Sequence, residues 1–280
     1  LFWLFFFFFS RSGDHRDLHS FPTRRSSDLV TDPLNDHAAA LYRQEIAKIT
    51  ERPVTHVIYS YSHWDRISGG QIFKDEGAQS ISQERCITSV KVRPNSDIVM
   101  PDITFADTYT LELGGRGLDL YYLGLHYDCS IVMITRPDNR MYVVGTVNPP
   151  AASVPTNPIM SSVYVYNLVS VLETLDDLAE RKNVETMIGA KVMVMEGEDG
   201  RPKLIGPTGS ITVIVEQQAF WSKLFNDARA ARASGIGGAE VGMAIDHTPY
   251  KYMPGYDEKN LAWITRRVQS AILTGKEAQV

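Results

Sequence analysis

Residues Val54 to Tyr61 (VTHVIYSY) form one β-favouring stretch, and the chain then turns abruptly polar: Ser62, His63, Trp64, Asp65 and Arg66, then Ser68, Gly69 and Gly70. Valine, isoleucine, threonine and tyrosine at this density predict a buried strand. The strand runs into a polar loop, and a short helix is expected over 71–77. Upstream, Thr31-Asp32-Pro33 is a turn signal. Asp36 is placed to cap a helix over 37–50, with Leu41, Tyr42, Ile46 and Ile49 near helical spacing. Arg52-Pro53 ends that helix. Strands are predicted over 81–82, 87–90, 108–113, 118–123, 131–135 and 141–144. Arg136-Pro137-Asp138-Asn139 makes the turn between the last two. A loop with four prolines spans 147–158. Helices are predicted over 163–181, 211–234 and 256–274, with a short strand over 186–188 and a Gly/Pro-rich insertion over 197–209. Strands and helices in this alternation predict a layered α/β domain.

The composition is that of an ordinary globular chain: 280 residues, 44% hydrophobic, 22% charged, formal net charge -5. That length suffices for a full core. A mildly acidic chain gives no support to nucleic acid or to an anionic membrane surface as partner. A soluble protein acting on or holding a small molecule is the expectation. Two cysteines, Cys86 and Cys129, are too few for a disulfide scaffold or zinc ribbon. They could pair, but buried free thiols are the favoured reading.

The first 29 residues stand apart. Five phenylalanines come after Leu1-Phe2-Trp3-Leu4. The apolar run is too short for a membrane span, and neither a basic segment nor a small-residue cleavage site flanks it. Gly13 to Leu29 (GDHRDLHSFPTRRSSDL) matches, residue for residue, the translation of a widely used short-read sequencing adapter. Residues 1–29 are therefore set aside as a non-native, adapter-derived segment. The localisation cannot be read, because the native N-terminus is not represented.

The chemistry-bearing residues sit in two places. The first is Tyr61-x-His63-x-Asp65-Arg66 with Gly69-Gly70 after it. A strand end leading into a tight loop points alternate side chains into one cleft, and imidazole and carboxylate are ligands that zinc accepts. The second is Leu123-Gly124-Leu125-His126, just before the strand at 131–135. Each histidine alone would be an ordinary surface or hydrogen-bonded residue. Tyr61 reads as a core aromatic or a weak oxygen ligand. Arg66 cannot donate a lone pair to a metal. It either turns to solvent or sets a fixed positive charge beside Asp65. Glu112, Asp119 and the cluster Glu196, Glu198 and Asp199 read as solvated charges, and Gly114-Gly115-Arg116-Gly117 as a hairpin turn. His247 could reach a cleft, though nothing requires it.

The first of these stretches resembles the signature of the metallo-β-lactamase superfamily, an apolar strand running into H-x-H-x-D-H and a Gly-Gly helix start. The second resembles the family's Gly-x-x-His motif. The resemblance covers about residues 31–234 and implies a four-layer αββα sandwich, with the family's first strands missing before Val30. It divides the chain into the segment 1–29, a metallo-β-lactamase-like domain over 30–234 and a C-terminal helical extension over 235–280. The family's two-zinc site is degenerate here. Tyr61 and Arg66 replace its first and last histidines. Gly145 and Thr146 stand at the place of its bridging aspartate, and Ala190 comes after Gly189 where its last histidine would stand. The resemblance implies metal ligands His63, Asp65 and His126, with one zinc ion or none, and catalytic roles for Asp65 and Arg66. The implied function is hydrolysis of an ester, lactone or similar bond. The alternative is a catalytically inactive pseudoenzyme serving as a small-molecule or protein-binding module.

Overall fold

A computed structural model describes residues 7–8, 28–92, 94–113, 115–124, 128–145, 147–156, 165–190, 193–196 and 200–275. The fold is mixed α/β, and the chain divides into two compact units. The first comprises residues 4–124 and 128–138, and the second chiefly residues 139–280.

The first unit contains β1 (Phe7–Phe8), β2 (Asp28–Thr31), α1 (Asp36–Ala47), β3 (Val54–Ile58), α2 (Trp64–Ile67), α3 (Gln71–Asp75), β4 (Gln79–Gln83), α4 (Arg85–Val92), β5 (Ile103–Phe105), β6 (Thr108–Leu113), β7 (Arg116–Tyr122) and β8 (Ile131–Arg136). Strands β2, β3, β4 and β5 run parallel, with Val30 opposite Val57, Val57 opposite Ser80 and Ile81 opposite Ile103. Parallel neighbours need crossover connections, and helices supply them. The α1 helix buries Ala39, Tyr42 and Ile46 against Val30, Val54 and Val57, with Ile67 and Phe73 in the same core. Strands β6, β7 and β8 form an antiparallel ladder, joined first by the expected hairpin turn, where Gly115 takes a φ of 88°. β1 pairs antiparallel with β2, opposite Val30 and Leu29. Asp28 and Leu29, the last residues of the adapter-like stretch, belong to β2. The rest of that stretch lies outside the described residues.

The structure corrects four expectations. The cap of α1 is Asn35, not Asp36: its side chain accepts from the Ala38 N–H at 2.9 Å. The β-branched stretch 87–90 lies in helix α4, because Cys86 and Val90, four residues apart, face the interior. Asp119 is buried rather than solvated. Its carboxylate accepts from Thr110 Oγ1 at 2.9 Å, Tyr121 Oη at 3.3 Å and Arg136 Nε at 3.3 Å. Gly117 makes room for this network, since a Cβ there would lie 2.3 Å from the Arg136 guanidinium. Finally, Cys86 and Cys129 are not free thiols but a disulfide closing 43 residues.

The second unit contains β9 (Arg140–Val143), a 3-10 turn at Val165–Asn167, α5 (Leu168–Arg181), β10 (Thr186–Gly189), β11 (Met193–Glu196), β12 (Pro202–Ile205), β13 (Thr208–Ser210), α6 (Val213–Ala233), α7 (Val241–Ala244), a 3-10 turn at Thr248–Tyr250 and α8 (Glu258–Thr274). β10 lies between β9, which is parallel to it, and β13, which is antiparallel. The α5 helix buries Leu168, Leu172, Leu175 and Leu178, a 3.6-residue stripe. Gln217 of α6 is buried and mimics a peptide partner: it accepts from Ser153 N–H at 3.0 Å and donates to Ser153 C=O at 3.1 Å. Asp257 caps α8 through the Asn260 N–H, and Gly275 ends it in the left-handed conformation. Among the described residues, no helix is long and apolar enough to cross a membrane.

Candidate functional site at the end of strand β3

The loop that leaves β3 is held from four sides, by partners distant in sequence. Tyr59 N–H donates to Ile81 C=O at 2.9 Å, and Tyr59 Oη donates to Val99 C=O at 3.0 Å. Ser60 donates twice to the Asp32 carboxylate, through its N–H at 2.8 Å and its Oγ at 2.6 Å. Ser60 C=O accepts from Ile131 N–H, the first residue of β8, at 3.0 Å. The short helix α2 is tied back to the residue after Pro33: Leu34 N–H donates to Arg66 C=O at 2.8 Å. Asp32 is the residue that sequence reasoning missed. It read as a turn signal, yet it is 4% exposed, has a φ of 49° and organises the loop that bears the motif.

The two glycines of the motif answer to packing. Gly69 has a φ of 78°, and a Cβ on it would lie 2.3 Å from the Asn35 carbonyl carbon, at the capped start of α1. Gly70 lets Tyr59 Oη approach to 2.7 Å of where a Cβ would stand. Gly69→Ala is expected to cost about 3 kcal/mol, from backbone overlap added to left-handed strain. Gly77→Ala is the control. Gly77 also has positive φ, at 94°, but has nothing within 4 Å of its would-be Cβ. It should lose only about 1 kcal/mol. Denaturant midpoints of the two variants check the difference, and equal losses would remove the packing argument.

Within this frame the motif side chains separate into a buried pair and an accessible pair. Tyr61 and Arg66 are buried, each 3% exposed, and Arg66 Nε donates to Tyr61 Oη at 3.3 Å. The reading in which Arg66 turns outward to solvent is thereby corrected. Burial pushes the Tyr61 phenol up to about 12, the Arg66 charge pulls against this, and Asp65 and Asp32 add to the rise. Tyr61 is therefore a neutral phenol near neutral pH. His63 and Asp65 remain accessible, with His63 Nδ1 and Asp65 Oδ1 3.9 Å apart. The His63 ring meets the Tyr61 ring edge-on, centres 4.7 Å apart. Trp64, half exposed, stands beside them in sequence. Ser62 Oγ is buried without a hydrogen-bond partner among the described residues.

His126 lies outside the described residues, as do Leu125, Tyr127 and Thr146. What flanks His126 is described. Leu123 and Gly124 N–H both point to Ser130 C=O, at 3.4 and 3.2 Å. In the second unit, Ala190 is buried and Gly145 has a φ of 80°. His247 is occupied structurally: Nε2 donates to Gly242 C=O at 2.7 Å, which leaves Nδ1 to accept from Tyr256 Oη at 3.3 Å. Among the described residues, no group of three or more His, Cys, Asp or Glu comes together as a metal cluster.

No protein-family model and no curated protein sequence matches the chain. Solved structures do. A metallo-β-lactamase from Pontibacter korlensis superposes with a TM-score of 0.58 at 14% identity, over 78% of this chain and 99% of that one. The stereoselective inverting sec-alkylsulfatase from Pseudomonas sp. gives a TM-score of 0.64 at 11% identity, over 91% of this chain and 48% of that one. The DIM-1 metallo-β-lactamase gives 0.54 at 12% identity, over 71% and 81%. The chain thus spans nearly the whole Pontibacter enzyme but about half the length of the alkylsulfatase. At these identities the likeness is one of backbone architecture, and it agrees with the order of strands, loop and Gly-Gly helix start found at Val54–Gly70. The chain has the metallo-β-lactamase fold.

Proposed function

We propose that the chain is a hydrolase of the metallo-β-lactamase superfamily, acting on an ester, lactone or similar bond with at most one metal ion. The observation that carries this reading is the buried Arg66, hydrogen-bonded to Tyr61. A two-metal centre does not suit this donor set. A guanidinium buried on Tyr61 within the motif disfavours a second cation there, and a protonated phenol offers it no anionic oxygen. His63 and Asp65 are close enough to share one ion and accessible enough to meet a ligand. With His126 they would make a set of two imidazoles and one carboxylate, which suits zinc. Zinc, when bound, would supply a water acidic enough to ionise near neutral pH. Asp65 would hold the ion or take up a proton. The Arg66 charge, fixed by Tyr61, would favour negative charge developing on a substrate oxygen.

A second reading has its own support. Tyr61 and Arg66 fill the interior of the motif, with Trp64 exposed alongside. This also suits a pseudoenzyme that keeps the fold as a small-molecule or protein-binding module.

Elemental analysis of the purified chain decides between them. About one zinc per chain, lost on His63→Ala or His126→Ala while the fold is kept, is expected, with metal affinity falling about 100-fold or more. Two metal ions per chain would overturn the role given to Arg66. No metal in a folded, cooperatively melting protein would remove the metallohydrolase reading and leave the binding module.

A further inference from the structure

Helix α4 grips the connection between β7 and β8 with two consecutive residues. Cys86 is bonded to Cys129. Arg85 pairs with Asp128 at 3.4 Å, and its guanidinium lies 5.2 Å from the centre of the Tyr122 ring. The ion pair is about half exposed on both sides, so it holds weakly in water. The covalent bond is the strong tie. Beyond it, Ile131 N–H donates to Ser60 C=O. The fastened stretch therefore ends directly on the loop that bears Tyr61 and His63.

We infer that Cys86–Cys129 is a latch that keeps the end of the β7–β8 connection, residues 128–130, fixed against α4 and the His63 loop, and that the protein is built to work in an oxidising compartment. Reducing cytosol keeps such thiols apart, whereas secreted and luminal proteins keep them joined. Both sulfurs are inaccessible, Cys86 being 1% and Cys129 0% exposed. A reductant thiolate has to reach one sulfur to attack it, so the folded protein must first open locally. The latch is thus no rapid signalling switch; once formed, it stays closed. A dithiol can open it in two exchange steps. One thiolate of the dithiol attacks and breaks the S–S bond, and the second resolves the mixed disulfide. Cys86 and Cys129 leave as thiols with two protons, while the dithiol ends as a disulfide. Made in a reducing compartment, the chain would hold two adjacent buried thiols, and the covalent tie between α4 and the connection would be gone.

The test uses the full 280-residue chain, metal-free, so its outcome does not depend on the hydrolase reading. Protein secreted through an oxidising compartment is alkylated under denaturing conditions, before and after reduction. Amide exchange is then compared among the oxidised protein, the same protein after dithiothreitol, and the Cys86→Ala/Cys129→Ala variant. No thiol is expected to react before reduction. Exchange over 122–131 is expected to be about tenfold slower in the oxidised form than in the other two, with β10 in the second unit unchanged. Two reactive thiols in the secreted protein would overturn the latch. Equal exchange over 122–131 in the oxidised and reduced forms would also overturn it, and that comparison stands even if the double variant does not fold. Protein made in reducing cytosol is expected to carry free thiols and exchange quickly; free thiols with slow exchange would overturn the compartment.

Discussion

Asp32→Ala is expected to lower the free energy of unfolding by about 4 kcal/mol, through two buried donors left without an acceptor. Asp32 is 4% exposed, and each of its two oxygens accepts from Ser60, one from the N–H at 2.8 Å and the other from Oγ at 2.6 Å. The backbone adds to the loss: Asp32 sits at a φ of 49°, which aspartate and asparagine tolerate better than alanine. Asp32→Asn separates the two contributions. Asparagine keeps the backbone conformation and one acceptor for Ser60 N–H, and the Ser60 hydroxyl can rotate to accept from its amide. A loss of about 1–2 kcal/mol is expected there. Denaturant unfolding of both variants measures the gap. If alanine and asparagine cost the same, the hydrogen bonds are not what holds the loop. The effect should also reach the site, since Tyr61 and His63 come just after Ser60 on the same loop. Loss of the edge-on contact between their rings, read from His63 ring proton shifts, is the local signature.

The contrast between Asp32 and Gly69 shows what was legible in the sequence and why. Gly69-Gly70 could be read because glycine before a helix has few other uses, and the structure explains it by contacts with Asn35 and Tyr59. Val54–Ile58 could be read because β-branched density is a local property. Asp32 was illegible because its partner Ser60 lies 28 residues away. Asp119 failed for the same reason: Arg136, 17 residues on, draws it inward. The helix over Arg85–Val92 was mistaken for a strand because Ile87, Thr88 and Val90 favour strands by themselves, while the interior rewards the spacing of Cys86 and Val90. The motif residues could be picked out from the sequence, but their division into buried and accessible side chains was not legible. Nothing local says that Arg66 is buried on Tyr61 while Asp65 stays accessible; the backbone of Arg66 is held by Leu34, 32 residues before it in the chain.

Cys86→Ala with Cys129→Ala is expected to cost about 4 kcal/mol, the loop-closure entropy released to the unfolded chain when a loop of this length is opened. The bridge closes 43 residues, and that span contains α4, β5, β6 and β7. Unlinking it lets all of these disperse together when the protein unfolds. Most of the effect therefore belongs to the unfolded state, and two measurements separate it from lost packing. The denaturant slope should rise in the variant, because the unlinked unfolded chain exposes more surface. Reducing the wild-type protein should reproduce most of the loss with both sulfur atoms still present, which the alanine variant cannot do. A loss below about 1 kcal/mol with an unchanged slope would mean that the unfolded chain is already compact over this span, and that Arg85, Asp128 and Tyr122 hold the connection without help. A loss seen in the alanine variant but not on reduction would assign the effect to the cavity left by the two sulfurs. Only the pattern shared by both perturbations assigns the stabilisation to the bond itself.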